Sequence, residues 1–127
     1  GDIENAFGVS TNQQKLYTAK DAIAACWIYK NGVTGEGSWN FGTYERVDNV
    51  EIIGSTGKIS FPVFDEGDVV LSNDKGTQNL FIDHPKHVQQ FHVENIRAHL
   101  MENREHPSTG KSGLHTSWIM DKILGQI

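Results

Sequence analysis

The strongest constraint on this chain is a change of pattern two thirds of the way along it. Up to Asp83 the signals are short apolar stretches separated by turn residues, and after His87 they become helical. Residues 3–10 read as a strand, and NQQKLYTAKD is a polar connection. AIAACWIY (22–29) is a strand with apolar side chains on both faces: Ile23, Ala25, Trp27 and Tyr29 against Ala24, Cys26 and Ile28. The turn KNG joins it to VTGEGSWNF as a hairpin. VEIIG–STG–KISFPVF reads as a second hairpin, with Pro62 at an edge or bulge. DVVLSN–DKG–TQNLFID reads as a third, with Asn73-Asp74-Lys75-Gly76 supplying the turn chemistry.

The helices come as a pair. Between His87 and Asn103, Val88, Phe91, Ile96 and Leu100 recur at helical spacing with Val93 on the flank. A second helix runs from about Ser108 to Leu124. Strands followed by helices predict an α+β fold: one large, mostly antiparallel open sheet of six or seven strands, with both C-terminal helices packed on one face. Two helices cannot cover both faces of such a sheet. Strands apolar on both sides therefore predict a homo-oligomer formed through the open face.

Composition sets the class. The chain has 127 residues, enough for a single domain over 1–127. Sixteen acidic against eleven basic residues give a net charge of −5, and no basic cluster offsets it, so nucleic acid is not an expected partner. The longest apolar run is far too short for a membrane span. The single cysteine, Cys26, cannot form an intrachain disulfide; a reducing, cytoplasmic setting is expected, with Cys26 buried and inert.

Several local patterns suggest chemistry. HPSTGKSG (106–113) contains the end of a phosphate-binding loop, G-x-x-x-x-G-K-[ST]. The first glycine of that motif falls on Glu105, whose carboxylate would repel a phosphate, and the preceding residues have a helical pattern rather than that of a buried strand. Ser108 or Thr109 is instead expected to cap a helix, with the GKS in its first turn. Six histidines invite a metal reading, but His84, His87 and His92 do not form an i, i+4 ligand set, and no further donor completes a tetrahedron. No metal site is expected, and His92 and His99 read as hydrogen-bonded, half-buried rings. Lys111, His115, Trp118 and Lys122 share one stripe of the last helix, expected to be a solvated face. Trp39 and Phe41, followed by Arg46, are the candidates for a substrate-binding wall, although core or interface positions suit the two aromatics as well. There is no G-x-S-x-G and no Cys–His arrangement, so no catalytic residue is assigned.

Taken in order, NQQKLYTAKD, NGVTGEGSWNF, DNVEIIGSTGKISF, HPKHVQQ and PSTGKSGLHTSWIMDKIL resemble the C-terminal domain of the Gfo/Idh/MocA oxidoreductases, which include glucose-fructose oxidoreductase, inositol dehydrogenases and dihydrodiol dehydrogenase. The resemblance spans nearly the whole chain, and EIIGSTGKISF and PSTGKSG are its most specific parts. It implies a substrate and oligomerisation domain of an NAD- or NADP-dependent enzyme acting on a sugar, polyol or related hydroxyl compound. In that family a Rossmann domain with a G-x-G-x-x-G-type loop and an E-K-P lysine comes first, and an Asp/His helix follows. None of these is in this sequence, so the resemblance implies a C-terminal portion that is inactive alone and binds no cofactor. The contrasting expectation is a stand-alone, non-catalytic interaction module.

Overall fold

The computed structural model describes residues 2–127. It contains seven strands and two helices: β1 (Ile3–Thr11), β2 (Ala22–Tyr29), β3 (Thr34–Asn40), β4 (Val50–Ile53), β5 (Gly57–Phe61), β6 (Val69–Asn73), β7 (Gly76–Leu80), α1 (Gln90–Glu102) and α2 (Gly110–Leu124). All strand pairs are antiparallel. The α+β class and the hairpins follow the sequence pattern. One expectation needs correction. The strands form two sheets, β1-β2-β3 and β4-β5-β6-β7, rather than one large sheet. Between β3 and β4, residues 41–49 are irregular, and Asp48 spends its carboxylate on the backbone N–H groups of Val63, Phe64 and Asp65, which closes a loop rather than extending a ladder. Two compact units result, one of 1–44 with 107–127 and one of 45–106.

In the first unit, α2 packs across β1. The strand allows this because Gly8 has no side chain: a Cβ there would collide with the backbone carbonyl of Ile123. The register places Ala6, Gly8 and Ser10 opposite Trp27, Ala25 and Ile23, and these in turn opposite Gly35, Gly37 and Trp39, so all nine share the face that carries α2. Over β3 that face is covered by indoles instead of a helix. The Trp27 ring lies where a side chain on Gly35 would be, and the Trp39 ring sits over Gly37, whose Cβ would fall 2.7 Å from Cη2 of the indole. The glycines of the TGEGSW stretch are thus the floor under two tryptophans. The other face carries Phe7, Val9, Ala24, Cys26 and Ile28 on β1 and β2, with Thr34, Glu36 and Ser38 on β3, all exposed. Cys26, expected to be buried, is exposed because β2 turns its odd-numbered residues towards α2 and its even-numbered ones away.

In the second unit, the register puts Val50, Ile52, Ile59, Phe61, Val69, Leu71 and Leu80 on one face of the four-stranded sheet. The opposite face is mostly polar: Glu51, Lys58, Ser60, Ser72, Thr77 and Asn79. Phe61 ends β5 immediately before Pro62, which has no N–H to continue a ladder. The Asn73–Gly76 turn is held by Asn73 Oδ1 accepting the Lys75 N–H at 2.9 Å. Because α1 belongs to this unit and α2 to the other, the expected pair of helices on one sheet face is corrected as well. α1 stops at Asn103, which adopts the left-handed conformation (φ 53°), and the N–H of the following Arg104 donates to the Ala98 carbonyl at 3.3 Å.

Candidate functional site

Trp39 is the penultimate residue of β3, opposite Ile23 and 45% exposed. Phe41 follows the strand, 75% exposed, and its N–H donates to the Asp21 carbonyl at 2.9 Å, which prolongs the β2–β3 pairing by one step. The two rings thus stand two residues apart at one end of the three-stranded sheet. Each is held by its backbone while presenting aromatic surface to solvent, the property wanted of a wall against the C–H face of a sugar-like ring.

The connection 12–20 is folded against this end. Asp21, 2% exposed, is the most buried polar residue described. Its carboxylate accepts the backbone N–H groups of Gln13 at 2.7 Å and Gln14 at 2.9 Å. These two hydrogen bonds hold its pKa below the ordinary carboxylate value against the opposing effect of burial. Its own N–H donates to the Thr11 carbonyl at 3.0 Å. The loop grips the end of β3 in return: Gln13 Oε1 accepts from Asn40 Nδ2 at 3.2 Å, and the Gln14 side chain lies against Gly42. Within the loop, Asn12 Oδ1 accepts the N–H of Lys15, which adopts a left-handed conformation (φ 56°). Sequence reading took NQQKLYTAKD as a connection and singled out neither Asp21 nor the glutamines. The available signal was three consecutive amide side chains ending a strand, with an aspartate directly before the next one.

Arg46, the third wall candidate, lies in the second unit, so these residues belong to two bodies. Its guanidinium forms a bidentate pair with Asp65, Nη2 to Oδ1 at 2.7 Å and Nε to Oδ2 at 3.1 Å. The hydrogen bond and charge of Asp65 strengthen the hold of Arg46 on its proton. Asp65 is in turn fixed by its N–H to Asp48 at 2.8 Å. Arg46 therefore braces the loop after β5 with the donors that would otherwise meet a substrate carboxylate.

The histidines do local structural work. His99 Nδ1 accepts the His106 N–H at 3.2 Å, and the His92 and His106 rings meet edge to face, 5.3 Å apart. No group of three or more His, Cys, Asp or Glu side chains positioned to hold a metal occurs among the described residues. On α2 the expected solvated stripe is partly structural: His115 stacks on Trp118 at 5.7 Å, Lys122 lies 5.8 Å from the same indole, and His115 Nε2 accepts the N–H of Ile3 at 3.1 Å.

The GKS stretch begins α2. Thr109 is its N-cap, accepting the Ser112 N–H, while Ser112 Oγ accepts the Thr109 N–H at 2.9 Å, a reciprocal capping box. The serine that would face a nucleotide's metal in a phosphate-binding loop is committed to the helix start. Among the described residues no helix is long and apolar enough to cross a membrane.

No family model matches the chain. Oxidoreductase P35 of Formosa agariphila is 26% identical over 125 residues; the match covers 98% of this chain and 38% of that protein. Among solved structures, an oxidoreductase from Agrobacterium radiobacter in complex with NAD+, L-tartaric acid and magnesium superposes with a TM-score of 0.77 at 13% identity, over 95% of this chain and 40% of that one. The aldose-aldose oxidoreductase from Caulobacter crescentus complexed with glycerol gives 0.76 at 12% identity, over 96% and 37%. The chain therefore spans about two fifths of the length of the proteins it matches. At these identities the structural likeness establishes the fold. The curated relative and both neighbours are named as oxidoreductases, the class of enzyme that the motifs resemble.

Proposed function

We propose that this chain is the C-terminal domain of a longer NAD- or NADP-dependent oxidoreductase acting on a sugar, polyol or related hydroxyl compound, and that it supplies one wall of the substrate pocket and the contacts between subunits. The observation that carries this reading is the asymmetry of coverage: nearly all of this chain superposes on less than half of each oxidoreductase. The neighbours' ligands, glycerol, L-tartaric acid and NAD+, support a hydroxyl compound and a nicotinamide cofactor in the parent.

The chain's own residues do not suit a dinucleotide. Its one phosphate-loop-like stretch is closed by the Thr109–Ser112 capping box, and α2 opens after a polar loop rather than a buried strand. In the parent the nicotinamide supplies the hydride chemistry and the preceding domain the proton-transfer groups. The residues described here bind and orient. Trp39 and Phe41 offer two ring faces against the apolar C–H surface of a carbohydrate, which fixes the ring plane and excludes water from one side. The bidentate pair with Asp65 occupies the Arg46 donors, which makes it the weakest of the three candidates.

The test is kinetic. The parent, expressed from its full reading frame, is expected to turn over a sugar or polyol with NAD or NADP, and this 127-residue chain is expected to show no turnover with either. Trp39→Ala should raise KM more than it lowers kcat, because it removes binding common to ground and transition states. Dehydrogenase activity from the isolated chain would overturn the assignment of catalysis to the preceding domain.

A further inference from the structure

We propose that Asp21 is the positioning residue of the aromatic wall, gripping Phe41 through its own carbonyl and, through the loop it anchors, from both flanks. The inference rests on the reading of Trp39 and Phe41 as a pocket wall, and it concerns what keeps that wall in place. Three links form the path. The buried carboxylate takes the N–H groups of Gln13 and Gln14 at 2.7 and 2.9 Å. The side chains of those glutamines reach the residues on either side of Phe41: Gln13 Oε1 accepts from Asn40 Nδ2 at 3.2 Å, and Gln14 lies against Gly42. Phe41 itself donates its N–H to the Asp21 carbonyl at 2.9 Å.

This geometry exceeds what loop closure needs. A turn between β1 and β2 could be closed by the Asp21 N–H to Thr11 bond alone. Burying a carboxylate is unfavourable unless charge-assisted hydrogen bonds compensate, and here they are spent on the two residues that clasp the β3 end. The groups facing the carboxylate are the backbone N–H groups of Gln13 and Gln14 and the Gln14 side-chain amide, and the charged Lys15 and Lys20 of the same loop are exposed. Phe41, outside the strand and mostly exposed, has little packing of its own to fix it.

Amide hydrogen exchange and ¹H–¹⁵N spectra of this chain test the coupling without any sugar. In Asp21→Asn one of the two anchoring bonds is lost, since the carboxamide presents one acceptor oxygen in place of two. The amides of Gln13, Gln14 and Phe41 are expected to exchange at least about tenfold faster, while the β2 amides of Ala24 to Ile28 keep their rates. The double variant Gln13→Ala/Gln14→Ala keeps the carboxylate and cuts the path at its second link; it should loosen Phe41 in the same way, whereas Asp21→Glu should recover part of the protection. In the unaltered chain, acid titration should move the Gln13, Gln14 and Phe41 resonances with one midpoint, below the usual carboxylate range. Unchanged Phe41 exchange in the double variant, or a separate midpoint for Phe41, would overturn the coupling. An unaltered KM in the parent after Trp39→Ala and Phe41→Ala would instead sink the pocket wall and leave the coupling standing.

Discussion

His115 Nε2, one turn into α2, accepts the backbone N–H of Ile3 at the first residue of β1, 3.1 Å away and 112 residues distant in sequence. In this bond Nε2 is the acceptor and the Ile3 N–H the donor. The ring then stacks on Trp118, and Lys122 lies beyond the same indole, so one side-chain ladder closes the helix onto the start of the sheet.

Replacing His115 by Ala should therefore cost more than an exposed helix position would. The Ile3 N–H loses its acceptor in a partly buried place and the Trp118 ring loses its stacking partner, together about 1–2 kcal/mol. Urea unfolding followed by tryptophan fluorescence measures this. A change within about 0.5 kcal/mol, the ordinary range for surface substitutions, would show that the contact carries no stability.

The start of α2 offers a second measurement. Thr109→Ala removes the side-chain oxygen that accepts the Ser112 N–H, and the expected loss is about 1 kcal/mol, with Thr109→Ser close to neutral. The same geometry predicts no saturable heat on titrating ATP or NAD into this chain. Micromolar binding weakened by Lys111→Ala would reverse that conclusion.

Much of this was legible because short-range chemistry decided it. The hairpin turns and the Thr109 cap depend on neighbours within a few residues, and each lies where the pattern puts it. Pro62, expected at an edge or bulge of a longer strand, instead follows the end of β5 at Phe61. The wall candidates Trp39 and Phe41 were legible only as aromatics following glycines. That the glycines act as the floor for the indoles depends on β2–β3 register. Asp21 was missed because nothing local separates a surface aspartate from one taken under a folded loop. The split into two sheets was missed for a related reason: nothing local in residues 41–49 says whether β3 and β4 will pair, and the strand order shows that they do not. Cys26 shows the limit of an all-apolar strand. With both faces apolar, period two identifies the faces without saying which one a helix will cover.

Acid should open the loop after β5. Burial alone would raise the Asp48 pKa, but the N–H groups of Phe64, Asp65 and Val63 outweigh it and hold the group below its usual value; Arg46 adds a smaller charge effect. A depressed folded-state pKa means that the contribution is fully present above the ordinary carboxylate range and is lost as pH falls through the lower, folded value. Asp48→Asn should abolish that part of the pH dependence and loosen residues 63–65 at neutral pH. Equal exchange rates for the Phe64 amide in both proteins at pH 7 would contradict it.

The open face of the three-stranded sheet carries the last prediction. Phe7 is 65% exposed and Val9 59%, and Ala24, Cys26 and Ile28 extend the same apolar strip over β1 and β2, bordered on β3 by Thr34, Glu36 and Ser38. An apolar surface of this kind in water is costly, at roughly 25 cal/mol per Å². In a homo-oligomer the simplest cover is the same face of a second copy about a two-fold axis, which would bring both Cys26 thiols into the contact. The chain is thus expected to sediment as a dimer at high micromolar concentration, and a specific contact should bury more than about 1,000 Å² in total. Phe7→Lys should shift it to monomer with little loss of fold, since that side chain points away from α2. Alkylation of Cys26 should slow as the protein concentration rises, and this dependence should vanish in Phe7→Lys. A clean monomer at high concentration, or Cys26 reactivity independent of concentration, would mean that this face is not where copies of the chain meet.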